Sequence, residues 1–372
     1  MLYRTLGRTG YRVSALGFGA MRLPMADDKV DEEKAIPVLR RALDLGVNYF
    51  DSAWGYCNQT SEIAVGKAIA GWPREKLVLS TKQPIHSTDD VAIWRERLET
   101  QLKRFDTPYI DVYNCHGLSW DQYQQFVAPP GGVLEQARKA QAEGLIRHLC
   151  LSCHDTPENM LKLIDTGELD VMTLQYNLLD RKNAPAIAHA LEKGVGIVVM
   201  GPVGGGRLAM APDVLGERVG PDLTIKSTPE IALRFVLTNP GVGVALSGMN
   251  TIPMVEENVE IASRSDPLSL AELKQVDEAF DEIKKLADLY CTGCDYCLPC
   301  PNEVRISENF RLMNYFRLYG VKEYAKNGYA GLVRRGGSAD QCLECGECEP
   351  KCPQNLPIMQ QLAEVRATLG AS

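Results

Sequence analysis

Four side chains able to hold or move a proton stand out in the first third of the sequence: Asp51, Tyr56, Lys82 and His116. Asp51 sits where the apolar run Tyr49–Ala53 ends, and Tyr56 follows five residues later on the polar, Gly-containing loop Trp54–Thr60. Lys82 closes the run Leu77–Lys82 and His116 closes Ile110–His116. A carboxylate, a phenol, an ammonium and an imidazole brought to one face are the parts of general acid–base chemistry. Singly, each has a plainer reading. Asp51 could cap a helix, Lys82 could be a solvated loop end, His116 a satisfied buried histidine and Tyr56 a packing residue. All four at one end of one fold are harder to set aside.

The 12 cysteines form a second set. Cys57, Cys115, Cys150 and Cys153 are scattered, and the other eight fall after Tyr290 in two runs. Cys291, Cys294, Cys297 and Cys300 are spaced C-x2-C-x2-C-x2-C-P; Cys342, Cys345, Cys348 and Cys352 are spaced C-x2-C-x2-C-x3-C-P. The second spacing is the bacterial ferredoxin run, and the first is one residue shorter in its last gap. Clustered Cys reads as metal binding rather than as a disulfide framework. Zinc competes, since C-x2-C pairs also bind it. Four thiolates in one run ending in Pro favour 4Fe-4S clusters, one for each run.

The elements that must position these groups alternate. After a hairpin over residues 6–13 turned by Gly10, strands are expected at Val13–Ala20, Tyr49–Ala53, Leu77–Lys82, Ile110–His116, Ile146–Ser152, Val171–Asn177, Gly196–Pro202 and Val242–Gly248. Helices with apolar spacing lie between them, among them Lys34–Leu45, Glu62–Ala70, Val91–Phe105, Val133–Glu143 and Ala184–Lys193. Thr156-Pro157 and Thr228-Pro229 each open a helix with a cap and a proline at the first helical position. Eight short, apolar, β-branched strands read as buried on both faces, which favours a (β/α)8 TIM barrel over an open doubly wound sheet. In such a barrel the carboxyl ends of the strands carry the chemistry. Ser269-Leu270-Ala271-Glu272 is a capping box starting a helix to about Leu289. Composition then shifts to Cys, Pro and aromatics, which places domains at 1–288 and 289–372. The insert between the cysteine runs, with Phe310, Leu312, Tyr315, Phe316 and Tyr319, reads as helical, so the second domain is expected to be small and α-helical.

Composition bounds the rest. At 372 residues, 45% hydrophobic and 24% charged, the chain is long enough for a barrel and a smaller module. A net charge of -8 without any basic concentration argues against nucleic acid. No apolar run reaches membrane-spanning length, and the first residues lack the apolar core of a signal peptide, so a cytoplasmic location is expected.

From about Tyr3 to Ala262 the sequence resembles the aldo-keto reductase family. The resemblance rests on Gly46–Ala53 with Glu62 and Gly66, Leu79–Lys82, Asp111–His116, Leu174–Asn177, Gly201–Gly206, Ser247–Met249, Glu257 and Asn258. It implies NAD(P)H-dependent reduction of a small-molecule carbonyl, with Tyr56 as proton donor, Lys82 making that phenol a better acid, Asp51 holding Lys82, and neutral His116 orienting the carbonyl. It also implies cofactor contacts at Gly19, Ala20, Met21 and Asp51, and at Ser152 and Gln175 near the nicotinamide amide. Met200 stands where many members stack an aromatic on the nicotinamide. Gly201, Pro202, Val203 and Gly204 would line the pyrophosphate; Ser247, Gly248, Met249, Glu257 and Asn258 would take the adenosine end. No G-x-G-x-x-G fingerprint is present, as suits a barrel.

Three departures carry meaning: Met200 in place of that aromatic, Cys153 where Asn usually follows Ser152, and Gly248 and Met254 where NADPH-preferring members carry cations. With no cation between Ser247 and Glu260, NADH stands beside NADPH as the expected donor. Trp54 and Trp120 are candidate walls of a substrate pocket or ordinary half-buried aromatics, and Trp120–Gly132 is a candidate substrate loop. The tail is similar to that of iron-sulfur-bearing members and to two-cluster ferredoxins, in which the fourth Cys of each run serves the other cluster. That similarity pairs Cys352 with Cys291, Cys294 and Cys297, and Cys300 with Cys342, Cys345 and Cys348. A competing function is an electron-transfer component whose barrel binds nucleotide and docks a redox partner protein.

Overall fold

The computed structural model describes residues 1–178, 180–203, 227–264, 267–285, 291, 297–317, 320–352 and 355–370. The chain divides into two compact units, Met1–Gly205 with Glu230–Leu268, and Gly206–Pro229 with Ser269–Ser372. The expected boundary at 288/289 lies outside the described residues.

In the first unit, β1 (Tyr3–Thr5) and β2 (Arg12–Ser14) pair antiparallel, and β3 (Leu16–Gly19) begins the barrel. A small hairpin, β4 (Met25–Ala26) and β5 (Lys29–Val30), follows. Its turn residues Asp27 and Asp28 both have positive φ (47° and 61°), the backbone that a tight hairpin requires. Then come β6 (Tyr49–Asp51), β7 (Val78–Pro84), β8 (Ile110–His116), β9 (Ile146–Cys153), β10 (Val171–Gln175), β11 (Gly196–Met200) and β12 (Val242–Ser247). β3 and β6–β12 close into an eight-stranded parallel barrel in chain order, β12 pairing back onto β3. The expected (β/α)8 architecture is what the chain forms, and the open sheet is excluded.

The first hairpin has a structural task. Leu6 and Val13, with Tyr11 beside them, pack into a cluster with Val78, Val112, Cys150, Val171, Val198 and Val244, so they plug the amino end of the barrel. The carboxyl ends are thereby left as the place for a site. The hairpin turns through a 3-10 helix over Gly7–Thr9, with Gly10 closing it at φ 77°.

Local rules explain the helices. Asp31 accepts from the Lys34 amide and opens Glu32–Asp44, and Thr156 accepts from the Asn159 amide ahead of Pro157. The helix expected over Val91–Phe105 is two, Thr88–Ala92 and Trp94–Phe105, broken at Ile93 (φ -100°, ψ 11°). Ser87 caps the first of them, a start signal that apolar periodicity does not register. Residues after Trp120 are also no open loop. Trp120–Gln122 and a π-turn over Tyr123–Val127 bury Tyr123, Phe126 and Val127.

In the second unit the Ser269–Glu272 capping box is formed in both directions and opens Leu270–Lys285. Helices Ile306–Arg317, Lys322–Arg335 and Ile358–Leu369 pack on one another around Phe310, Met313, Tyr329, Leu332, Leu362 and Val365. Tyr319 lies outside the described residues. No described helix is long and apolar enough to cross a membrane.

Candidate active site

Strand register brings the proton-handling residues together. Gly19 pairs with Asp51, Asp51 with Ser80, Lys82 with Asn114 and Pro84 with His116, so these side chains occupy adjacent strand ends at the carboxyl mouth. The Lys82 ammonium donates to Asp51 Oδ1 at 2.5 Å and to the Ser52 carbonyl at 2.9 Å. Both members of this ion pair are only 3% exposed. Ser80 Oγ donates to the other Asp51 oxygen at 2.9 Å and itself accepts from Asn114 Nδ2 at 3.1 Å. Lys82 Nζ stands 4.9 Å from the Tyr56 ring centroid, and the His116 ring meets Tyr56 edge-on at 5.9 Å. The four predicted residues therefore form one cluster.

Electrostatics assigns their protonation. Burial is the largest single influence on the Lys82 ammonium and works against it, but the Asp51 charge, the Tyr56 oxygen and the hydrogen bonds to both together outweigh it, and the pKa rises above the usual lysine value. His116 is lowered to about 4 by burial first, then by Lys82, His154 and His86. It is neutral at pH 7, as the resemblance implied. The expectation for Tyr56 is corrected in one respect. Lys82 pulls its pKa down by charge and hydrogen bonding, yet burial is the larger effect and the phenol lies above its ordinary value. Lys82 limits that rise without reversing it, and Tyr56 keeps its proton at neutral pH.

The cofactor candidates occupy the remaining strand ends around the mouth. Gly19 ends β3 and Ala20 and Met21 follow it, with Ala20 buried and Met21 57% exposed. Ser152 Oγ accepts from the Gly117 amide at 2.8 Å, and Gln175 Nε2 donates to Asp180 at 3.2 Å. Met200 ends β11 beside Gln175, and Gly201 follows at φ 62° with its carbonyl accepting from Asn177 at 3.0 Å. Pro202 and Val203 are buried, and Gly204 lies outside the described residues. Asn258 Nδ2 donates to Ser247 Oγ at 3.1 Å, Met249 is buried, and Gly248 and Glu257 are exposed. The fold also brings the stem of an arginine side chain there. A Cβ on Gly248 would lie 3.7 Å from the Arg22 side chain, so Arg22 lies against the position where the sequence lacks a basic residue.

Trp54 and Trp120 are both half-buried. The Trp54 ring is covered by the Arg104 guanidinium at 4.1 Å, and Trp120 stacks on Tyr123 at 5.8 Å. The scattered thiols are poor nucleophiles, since burial pushes Cys115 up to about 12 and Cys153 to about 11. A cavity at the other end of the barrel has Arg4 as its sole ionisable lining side chain and offers no comparable chemistry. Sequence reasoning missed Ser80 and Asn114. Ser80 had a signal, since it stands two residues before Lys82 and therefore on the same face of the strand.

In the second unit, Cys297, Cys300, Cys342, Cys345 and Cys348 line one cavity with Pro299, Pro301, Ile306, Met359 and Leu362. Cys291 and Cys352 are described elsewhere in the unit, and Cys294 lies outside the described residues. Among the described residues no three His, Cys, Asp or Glu side chains converge closely enough for a single metal ion. Several thiols spread around one largely apolar cavity suit a polynuclear cluster better than one zinc ion.

Residues 15–281 match the aldo/keto reductase family, and residues 290–356 match a 4Fe-4S dicluster domain. An L-galactose dehydrogenase from Arabidopsis thaliana is 26% identical over 307 residues, covering 76% of this chain and 95% of that protein. The aldo-keto reductase AKR11C1 from Bacillus halodurans superposes with a TM-score of 0.65 at 29% identity, covering 75% of this chain and 96% of that one. A probable voltage-gated potassium channel subunit beta from rice is 38% identical over 124 residues, 31% of this chain and 37% of that protein.

Proposed function

Because this chain belongs to the aldo/keto reductase family and carries a 4Fe-4S dicluster domain after the barrel, we propose that it reduces an aldehyde or ketone to the alcohol, with NAD(P)H as donor and Tyr56 as general acid. When bound, the dihydronicotinamide supplies the hydride that the carbonyl carbon gains. Tyr56 gives its proton to the carbonyl oxygen. The buried Lys82 ammonium stabilises the phenolate left behind, and Asp51 keeps that ammonium charged and in place. Neutral His116 donates a hydrogen bond to the same oxygen and orients the carbonyl. Gly19, Ala20, Met21, Ser152, Gln175, Met200 to Gly204 and Ser247 to Met249 with Glu257 and Asn258 hold the cofactor. Arg22 beside Gly248 gives a 2′-phosphate a charged neighbour, so NADPH is accepted as well as NADH.

We assign this chemistry to residues 1–288 and cluster binding to 289–372. Cys300, Cys342, Cys345 and Cys348 hold one 4Fe-4S cluster; these four line one cavity, which Cys297 also lines. Cys291, Cys294, Cys297 and Cys352 hold the other. When bound, the clusters supply one-electron transfer, suited to a redox partner protein.

The observation that carries the reading is the convergence of Asp51, Lys82, Tyr56 and His116 at one barrel mouth. The test is anaerobic NADPH and NADH oxidation with a panel of aldehydes and ketones, comparing wild type with Tyr56→Phe. Turnover that falls about 10²–10⁴-fold in Tyr56→Phe supports it. No turnover by wild type selects the competing reading, a nucleotide-binding barrel that docks a partner.

A further inference from the structure

Tyr56 lies on an improbable piece of backbone. The three residues after it, Cys57, Asn58 and Gln59, have φ of 49°, 50° and 66°, a run of non-glycine residues in the left-handed region. Each carries a steric penalty there, and such a run persists only when its surroundings over-determine it.

One guanidinium spans the turn. Arg104, on helix Trp94–Phe105, donates to the Trp54 carbonyl at 3.3 Å on one side of Tyr56 and to Gln59 Oε1 at 2.5 Å on the other. It also covers the Trp54 ring at 4.1 Å. Arg104 is itself held by Glu62 at 3.0 Å, a carboxylate in a residue only 1% exposed. The second Glu62 oxygen accepts from Thr81 Oγ1 and from Gln101 Nε2, both at 2.6 Å. Thr81 adjoins Lys82, and Gln101 reaches the Lys82 carbonyl at 3.3 Å. A single buried carboxylate thus ties the loop that carries the phenol to the strand that carries the ammonium. The two helices involved approach closely enough for this because residue 66 is glycine; a Cβ there would lie 2.6 Å from the Phe105 carbonyl oxygen.

We propose that Arg104, anchored by Glu62, is a positioning residue that sets the Tyr56 phenol against the Lys82 ammonium. The inference rests on the reading of the barrel as a carbonyl reductase. Arg104 acts through the turn and exchanges no proton with substrate.

The test uses the full-length, cluster-loaded protein. Arg104→Met keeps the side-chain stem and removes the charge, Glu62→Gln keeps the volume, and Gln59→Ala removes one outer clamp at an exposed position. A displacement of the order of an ångström costs about 100-fold in rate. Arg104→Met and Glu62→Gln are therefore expected to lose about 10- to 100-fold in kcat. The NAD(P)H dissociation constant, read by fluorescence, should stay within about twofold and the solvent deuterium isotope effect on kcat should rise, as proton donation becomes limiting. Arg104→Lys should recover part of the loss. A kcat within about threefold of wild type in Arg104→Met and Glu62→Gln, or a loss confined to cofactor affinity, overturns the inference while leaving the reductase reading intact. If Arg104→Met does not fold, Gln59→Ala decides: a lower kcat with a raised isotope effect supports the clamp, and wild-type values overturn it. A wild type that turns over no carbonyl overturns the parent reading and this inference with it.

Discussion

The Asp51–Lys82 pair makes a prediction with a definite sign. Asp51→Asn is nearly isosteric and can still bond Ser80, so it removes the charge and little else. At 2.5 Å and an effective dielectric of about 20, the Coulomb attraction lost is about 6–7 kcal/mol. Relief of desolvation on the Asp51 side offsets part of it, and a buried pair broken on one side costs about 3–5 kcal/mol. In the wild type, the folded pKa of Lys82 lies above the ordinary lysine value. Its contribution is fully present below that ordinary value and is lost only as pH rises through the folded pKa, so it is constant between about pH 6 and 9. In Asp51→Asn the burial that already works against the ammonium is no longer outweighed, and the folded pKa drops below the ordinary value. The unfolded chain then binds more protons than the native one, and stability rises with pH. The deficit of the variant should be largest near pH 6 and narrow towards pH 9.

All four tryptophans lie in the first unit, so intrinsic fluorescence in urea follows the barrel and not the cysteine-rich unit. Midpoints at pH 6, 7.5 and 9 give the comparison. A deficit under about 1 kcal/mol at pH 6, or one that does not change through pH 9, refutes the reasoning that Lys82 is held charged by Asp51 against its burial.

Two further outcomes follow from the geometry. His116 is lowered to about 4 by burial, then by Lys82, His154 and His86, so kcat/KM should lack an imidazole inflection above about pH 5 and barrel stability should fall as pH drops from about 6.5 through 4; an inflection near pH 6.5 that disappears in His116→Asn contradicts this. Cys345→Ser should lose roughly half of the iron and acid-labile sulfide, as expected when one of two clusters is lost, and an unchanged iron content or a zinc stoichiometry in the wild type counts against the cluster assignment.

The barrel was legible because its signal is local. Strands such as Gly196–Met200 and Val242–Ser247 are near-continuous apolar runs, and a residue near the carboxyl end of such a strand in a parallel barrel has one place to point. Asp51, Lys82 and His116 were therefore readable from their positions alone. What escaped depends on approach through space. No residue of Cys57-Asn58-Gln59 announces a left-handed turn, because the clamp that imposes it comes from Arg104 and Glu62. The side chain whose stem lies beside Gly248 is Arg22, far away in sequence, so the stretch between Ser247 and Glu260 does not reveal it. The acidity of Tyr56 was misjudged for the same reason. The neighbouring ammonium was visible in the sequence, but the burial that outweighs it was not.

The two chemistries proposed for this chain do not share a unit of charge. Carbonyl reduction takes a hydride, two electrons moving together, and one proton; a 4Fe-4S cluster exchanges one electron at a time. No flavin-binding fingerprint in the sequence offers a means of splitting the pair. On the barrel side the requirements are met locally. In the proposed reaction Tyr56 supplies the proton, Lys82 and Asp51 stabilise its loss, and His116 remains neutral beside it, all within the first unit. On the other side the described cluster thiols have their own cavity and their own helical core. The reduction proposed at Tyr56 thus closes without an electron from the proposed clusters, which leaves a one-electron carrier outside this chain as the exchange we propose for them.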